Sequence, residues 1–237
     1  MSAFEMQKSL KIGIIGDYNF TYNSHHATNL AIDHAADFLD LEISYYWIKL
    51  NEVLDFKAQQ FNQYDGFWIA PGPIRNEFFL HGIIREMISR PIPTLITGEG
   101  YRTFIDALVN TYQLNQFNEK LISDNLVEGQ QFEKITVSPH SKSFITLYEN
   151  HSKVELTSSR YSLYPKLIQA LQDDILDIEA YNQFEDPEII SLKNHSFFLA
   201  CSFCPQISST REIPHPMIYT FMKACSALAE GSLSKQA

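Results

Sequence analysis

The residues best suited to chemistry fall into a few small groups. Cys201-Ser202-Phe203-Cys204 spells C-x-x-C, a spacing used by redox and zinc sites. Such chemistry needs both sulfurs on one side, but this pair lies in an apolar, strand-like run, where positions three apart face opposite ways. A second C-x-x-C is missing, and so is the helix start that thioredoxin-like sites use. Buried structural thiols are therefore expected, with no metal. Glu99 stands between Gly98 and Gly100 at a strand-to-helix turn, where a carboxylate suits a helix N-terminus. An unpaired buried charge is costly, so an ion pair with Arg75, Arg102 or Arg160 is expected. His25 and His26 are adjacent, and neighbouring helix positions diverge by about 100°, so they do not chelate together. His25 is a pocket-lining candidate. Asp173-Asp174, and Glu185 with Asp186 and Glu188, read as solvated acids on turns.

These residues must be positioned by ordinary secondary structure. Residues 11–16 (KIGIIG), 41–48, 65–70 (DGFWIA) and 94–97 read as short buried strands. Between them the spacing predicts helices: one capped by Ser24 and running to Phe38, a short one over 51–61, one over 76–89, and one through Leu108. Pro91 and Pro93 stop the third. Strand and helix alternate, the pattern of a parallel sheet covered on both faces. In such sheets ligands bind beyond the carboxyl ends of the strands, where the loops at 17–24, 71–75 and 98–100 converge. The second half changes rhythm. Strands are expected at 134–138, 143–148, 154–157, 177–181, 188–192 and 197–203, with helices at 165–171 and 214–228. The predicted fold is a three-layer α/β sandwich, mainly parallel, with a small antiparallel appendage over about 132–157. One domain is expected over 1–237, its core at about 11–228 and its tail, 231–237, frayed.

Composition excludes several classes. The chain has 237 residues, 45% hydrophobic and 19% charged, which fits a globular protein and not a disordered one. Its net charge of −10 repels phosphate backbones, so no nucleic-acid partner is expected. No apolar run approaches the roughly 20 residues of a membrane span, and residues 1–11 do not resemble a signal peptide. Three cysteines are no disulfide framework, which makes the reducing cytoplasm the expected compartment. With 17 Phe and 12 Tyr, the aromatics mostly fill the core; they are also compatible with a homo-oligomer interface.

Three stretches resemble a known family. Asp65–Arg75 (DGFWIAPGPIR) resembles the DG-x-x-x-PGG loop of class I glutamine amidotransferases. Pro91–Arg102 (PIPTLITGEGYR) resembles their nucleophile turn. Phe197–Pro216 (FFLACSFCPQISSTREIPHP) resembles a stretch of the amidotransferase domain of CTP synthase, and Arg160-Tyr161 falls where that domain carries an arginine-rich segment. The likeness runs from about Lys11 to Ala227. Short proteins similar to the C-terminal region of CTP synthase share the first loop and a histidine near His25. The resemblance implies an amidotransferase-like fold and pocket candidates Pro71, Gly72, Pro73, Glu99, Gly100, Arg160, Tyr161 and His25.

The departures bear on function. The family hydrolyses glutamine with a cysteine nucleophile, a histidine base and a glutamate that orients it. The resemblance places these on Gly98, Cys204 and Gln206. A glycine cannot form a thioester, and a thiol with an amide is a poor substitute for a histidine–glutamate pair. The second loop glycine is Pro73, which offers no N–H to an oxyanion. No catalytic residue and no metal are therefore expected. The chain has no P-loop or glycine-rich phosphate cradle, so no cofactor is expected either, nor the ATP- and UTP-binding domain of a complete synthase. Two readings stand. One is a binding or regulatory module without glutaminase activity, its partner an unnamed small molecule or protein. The other is a CTP synthase-related amidotransferase or hydrolase of pyrimidine nucleotide metabolism that uses Cys204 as its nucleophile.

Overall fold

The computed structural model of the protein describes residues 9–117, 119–125 and 132–233. The apolar runs of the first half form β1 (Leu10–Ile15), β2 (Ile43–Ile48), β3 (Gly66–Ile69) and β4 (Thr94–Thr97). Strands β3 and β4 are buried along their whole length, as strands covered on both faces must be. The helices between them are α1 (Asn23–Leu39), α2 (Leu50–Leu54), α3 (Ala58–Phe61), α4 (Glu77–Ile88) and, after β4, α5 (Gly100–Thr111). Then come β5 (Ile122–Asn125), β6 (Glu133–Pro139), α6 (Lys142–Leu147), β7 (Val154–Thr157), β8 (Arg160–Leu163), α7 (Pro165–Asp174) and β9 (Leu176–Asn182). The described chain closes with β10 (Pro187–Leu192), β11 (Phe198–Cys201), α8 (Pro205–Ser208) and α9 (Pro216–Leu233).

Nine strands make one sheet in the order β2-β1-β3-β4-β11-β10-β9-β6-β7. The first five run parallel and the rest continue antiparallel. The α/β sandwich is as expected. Its antiparallel part is larger than the 132–157 segment, because β9 and β10 join it. A separate ribbon pairs β5 with β8. Two apolar clusters sandwich the sheet. One holds Leu80, Ile84, Phe104 and Leu108 from α4 and α5; the other holds Ala31, Ile32, Ala35, Phe221 and Met222 from α1 and α9.

Several local expectations need correction. Residues 143–147 form helix, not strand, and Tyr148 is its C-cap residue. Their β-branched residues favour a strand, but the Ser141 hydroxyl accepts the Phe144 N–H as an N-cap. Phe144 and Tyr148, four apart, then bury together. Ser24 lies inside α1 and does not cap it; Tyr22 is the N-cap residue, with no side-chain hydrogen bond. The helix expected over 51–61 is two short helices split at Asp55. Helix α9 continues through Gly231 to Leu233, and residues 234–237 of the expected tail lie outside the described residues. Glu188 is no solvated acid. It sits in the middle of the sheet at 1% exposure, where the Asn182 amide and the Ser202 hydroxyl donate to its carboxylate. Burial nevertheless pushes its pKa up to about 7.

Candidate functional site

The parallel strands end in turns that gather at one edge of the sheet. Strand β4 hands over to α5 through Gly98, whose φ of +65° is a left-handed conformation that glycine adopts freely. The Gly98 N–H donates to the Phe203 carbonyl at 3.0 Å, and its own carbonyl accepts the Tyr101 N–H at 3.0 Å. A tight strand-to-helix turn of this kind is how α/β hydrolases present a nucleophile. Here the turn is bare. A Cβ added to Gly98 would lie 3.0 Å from Pro71 Cβ and 3.5 Å from Cys204 Sγ. The nucleophile and base positions implied by the family resemblance are thus neighbours.

Glu99, next along the turn, reaches over the loop that follows β3. Its Oε2 accepts the Ile74 N–H at 3.1 Å. A Cβ on Gly72 would lie 2.0 Å from that same oxygen, so the carboxylate rests on the bare Cα of Gly72. The expected arginine pair does not form among the described residues. Arg102 is on Asp106 at 4.0 Å, Arg160 is on Glu133 at 3.6 Å, and Arg75 is exposed. A backbone amide takes the place of the cation, a charge-assisted hydrogen bond that satisfies the carboxylate without a counter-ion. Gly72 was the available sequence signal, since only a residue without a side chain leaves room for the carboxylate.

His25 ties a third loop to this one. Its Nδ1 accepts the Asn19 N–H at 3.0 Å, which leaves the proton on Nε2, and Nε2 donates to the Pro71 carbonyl at 3.2 Å. Tyr18, Tyr22 and Trp47 pack their rings around it. Burial lowers its pKa below the ordinary histidine value, so the ring is a neutral strut. The cavity enclosed by Asp17, His25, Ala70, Pro71, Gly72 and Ile74 is about 10 Å³, room for about one water.

Cys204 closes the site from the other side, as the residue before α8. Its N–H donates to the Leu156 carbonyl at 2.9 Å, and the side chain is buried. Burial first, and then the Glu99 carboxylate, push its pKa up to about 12, against the lowering influence of the nearby Gln206 and Ser158 side chains. Gln206 is buried beside it, and neither polar atom of its amide has a well-formed hydrogen bond among the described residues. Cys201 lies on β11 with its thiol donating to the Phe203 carbonyl at 3.4 Å. Both thiols are buried and free.

The structure therefore brings together His25, Pro71, Gly72, Gly98, Glu99, Cys204 and Gln206. Pro73 is on the same loop with its ring exposed. Gly100 lies beneath the turn, where a Cβ would meet Ile96 Cγ2 at 2.9 Å. Arg160 and Tyr161 sit on the β5–β8 ribbon instead. The Arg160 guanidinium lies over the Phe184 ring, and Tyr161 packs against the first apolar cluster.

No family model matches the chain. In sequence it is similar to the CTP synthase of Sulfurisphaera tokodaii, 22% identical over 249 residues, which cover 93% of this chain and 46% of that protein. The CTP synthase of Sulfolobus acidocaldarius is 23% identical over 248 residues, with the same coverages. The chain spans about half the length of the curated relatives it matches. In structure it superposes on the glutaminase domain of Trypanosoma brucei CTPS, solved with bound acivicin, at a TM-score of 0.74 and 18% identity, over 92% of this chain and 94% of that one. The chain carries the fold of that CTPS glutaminase domain. In this chain the turn after β4 is built on Gly98, and the side chains beside it are Glu99, Cys204 and Gln206. Among the described residues no helix is long and apolar enough to cross a membrane.

Proposed function

We propose that this amidotransferase-type chain is catalytically silent toward glutamine and serves as a binding or regulatory module for a small molecule or protein partner. The observation that carries the reading is the Glu99 carboxylate lying on Gly72 and holding the Ile74 N–H. A backbone amide of this loop would otherwise be free for an incoming oxyanion. Two further features support it. The turn at Gly98 has no side chain to be acylated, and the residue in the position implied for the base is a thiol, Cys204, 3.5 Å from where a Gly98 Cβ would stand. The reading with Cys204 as nucleophile is disfavoured by its pKa of about 12, which keeps the thiol protonated at neutral pH. The test is ammonia release from glutamine by the purified protein, with Cys204→Ser as the control. No release above buffer is expected. Turnover near the common enzyme scale of about 10 per second, abolished by Cys204→Ser, would establish the Cys204 mechanism instead.

A further inference from the structure

A second polar cluster lies away from the Gly98 turn. His151 follows the turn after α6, Glu155 is on β7, and His215 immediately precedes α9. One potential ligand atom from each lies within 4.8 Å of the other two. Glu155 and His215 are fully buried. His215 Nε2 is 2.9 Å from Glu155 Oε1, and the Ser208 hydroxyl donates to Glu155 Oε2 at 3.0 Å. His151 Nε2 is also buried and has no hydrogen-bond partner among the described residues. The His151 and His215 rings stand edge to face, 4.6 Å apart. His151 borders a surface groove of about 410 Å³, walled by Leu147, Pro214 and Tyr219, so one side of the cluster faces solvent.

His215 Nδ1 accepts the Met217 N–H at 3.2 Å, which places the ring proton on Nε2, toward Glu155 Oε1. Among the described residues no lysine or arginine pairs with the buried Glu155 carboxyl, whose neighbours are the His215 ring and the Ser208 hydroxyl. Burial and the neighbouring His215 ring push the pKa of His151 down to about 4. His151 Nε2, buried and without a hydrogen-bond partner among the described residues, is the donor atom that the geometry leaves for a ligand.

We propose that His151, Glu155 and His215 form a binding site for one divalent transition-metal ion of the zinc class, with a further coordination position open to the groove. Two imidazoles and a carboxylate with an open position are a ligand set that zinc uses. Imidazole donors disfavour magnesium and calcium, which prefer oxygen. Ser208 is the partner that orients the carboxylate. When the metal takes the Nε2 lone pair of His215, the proton from Nε2 passes to Nδ1, and the Met217 amide gives up its acceptor. Metal binding should therefore loosen the first turn of α9. Residues 151, 155 and 215 are too scattered in the chain for any spacing rule to reveal the set, and the sequence reading expects no metal.

The experiment is calorimetric titration of the chelator-treated 237-residue chain with zinc chloride, repeated with magnesium chloride. One zinc per chain with micromolar or tighter affinity is expected, and no magnesium binding. His151→Ala changes a half-exposed turn residue and should weaken zinc at least roughly tenfold. Glu155→Gln keeps an oxygen for His215 while removing the charge, and should do the same. Faster hydrogen exchange at the Met217 amide in the zinc-loaded protein is the independent readout. Absence of saturable zinc binding, or zinc affinity unchanged in both variants, would overturn the proposal.

Discussion

Replacing Gly72 with alanine tests how the loop is held. The new Cβ would sit 2.0 Å from Glu99 Oε2 and 2.4 Å from its Cδ, closer than atoms can approach. The carboxylate is the far end of a flexible side chain and will swing away, so the cost is the Ile74 N–H···Oε2 bond at 3.1 Å, not a broken core. A hydrogen bond to a charged group contributes about 1.5–3 kcal/mol. Gly72 lies outside the left-handed region, so alanine also stiffens the unfolded chain and returns about 0.4–1 kcal/mol. Gly72→Ala alone should therefore destabilise by about 1–2 kcal/mol on these two magnitudes. In a Glu99→Ala background nothing remains to collide with, and the same substitution should be neutral or stabilising. Urea denaturation of the four proteins in this cycle measures the coupling directly. If Gly72→Ala cost the same in both backgrounds, the Glu99–Ile74 clasp would not be what closes the site.

Other perturbations have equally definite signs. Gly98→Ala imposes a side chain on a φ of +65° and brings its Cβ to 3.0 Å from Pro71 Cβ, so thermal denaturation should show a loss of at least about 1–2 kcal/mol. Glu188 has a folded pKa of about 7, raised above the ordinary 4.5 by burial. Its contribution to stability is therefore greatest below pH 4.5 and is lost as pH rises through 7. Relative to wild type, Glu188→Gln should gain about 3 kcal/mol in denaturant stability between pH 4.5 and pH 8, and a pH-independent difference would contradict that assignment. Trp68 Nε1 donates to Thr97 Oγ1 at 3.0 Å inside the sheet, so Thr97→Val leaves a buried N–H unpaired and should cost about 1–3 kcal/mol in the same assay.

Much of the architecture was legible because the first half is periodic. Runs such as GFWI and TLIT, buried on both faces, can only be central strands when helices alternate with them. The helix at α6 was hidden because Phe144, Ile145 and Thr146 have strand-like propensity, and a serine cap with an i, i+4 aromatic pair outweighed it. Glu188 was misread because its neighbours Glu185 and Asp186 suggest a solvated turn, whereas the donors that hold it, Asn182 and Ser202, come from elsewhere in the fold. At the site, the juxtaposition of Gly98 with Cys204 followed from the family motifs. The partner of Glu99 did not, because a backbone amide leaves no mark in side-chain chemistry. The cluster of His151, Glu155 and His215 was invisible for a different reason: its members lie on three elements joined only by the tertiary fold.

Silence toward glutamine is best tested in a single turnover. Protein in excess over labelled glutamine is mixed at neutral pH, quenched over seconds to minutes, and read for free glutamate and for glutamyl attached to protein. With a glycine at the turn, a carboxylate on the loop amide and a protonated Cys204, the account expects neither product above buffer. A burst of protein-bound glutamyl on Cys204, followed by glutamate, would contradict it.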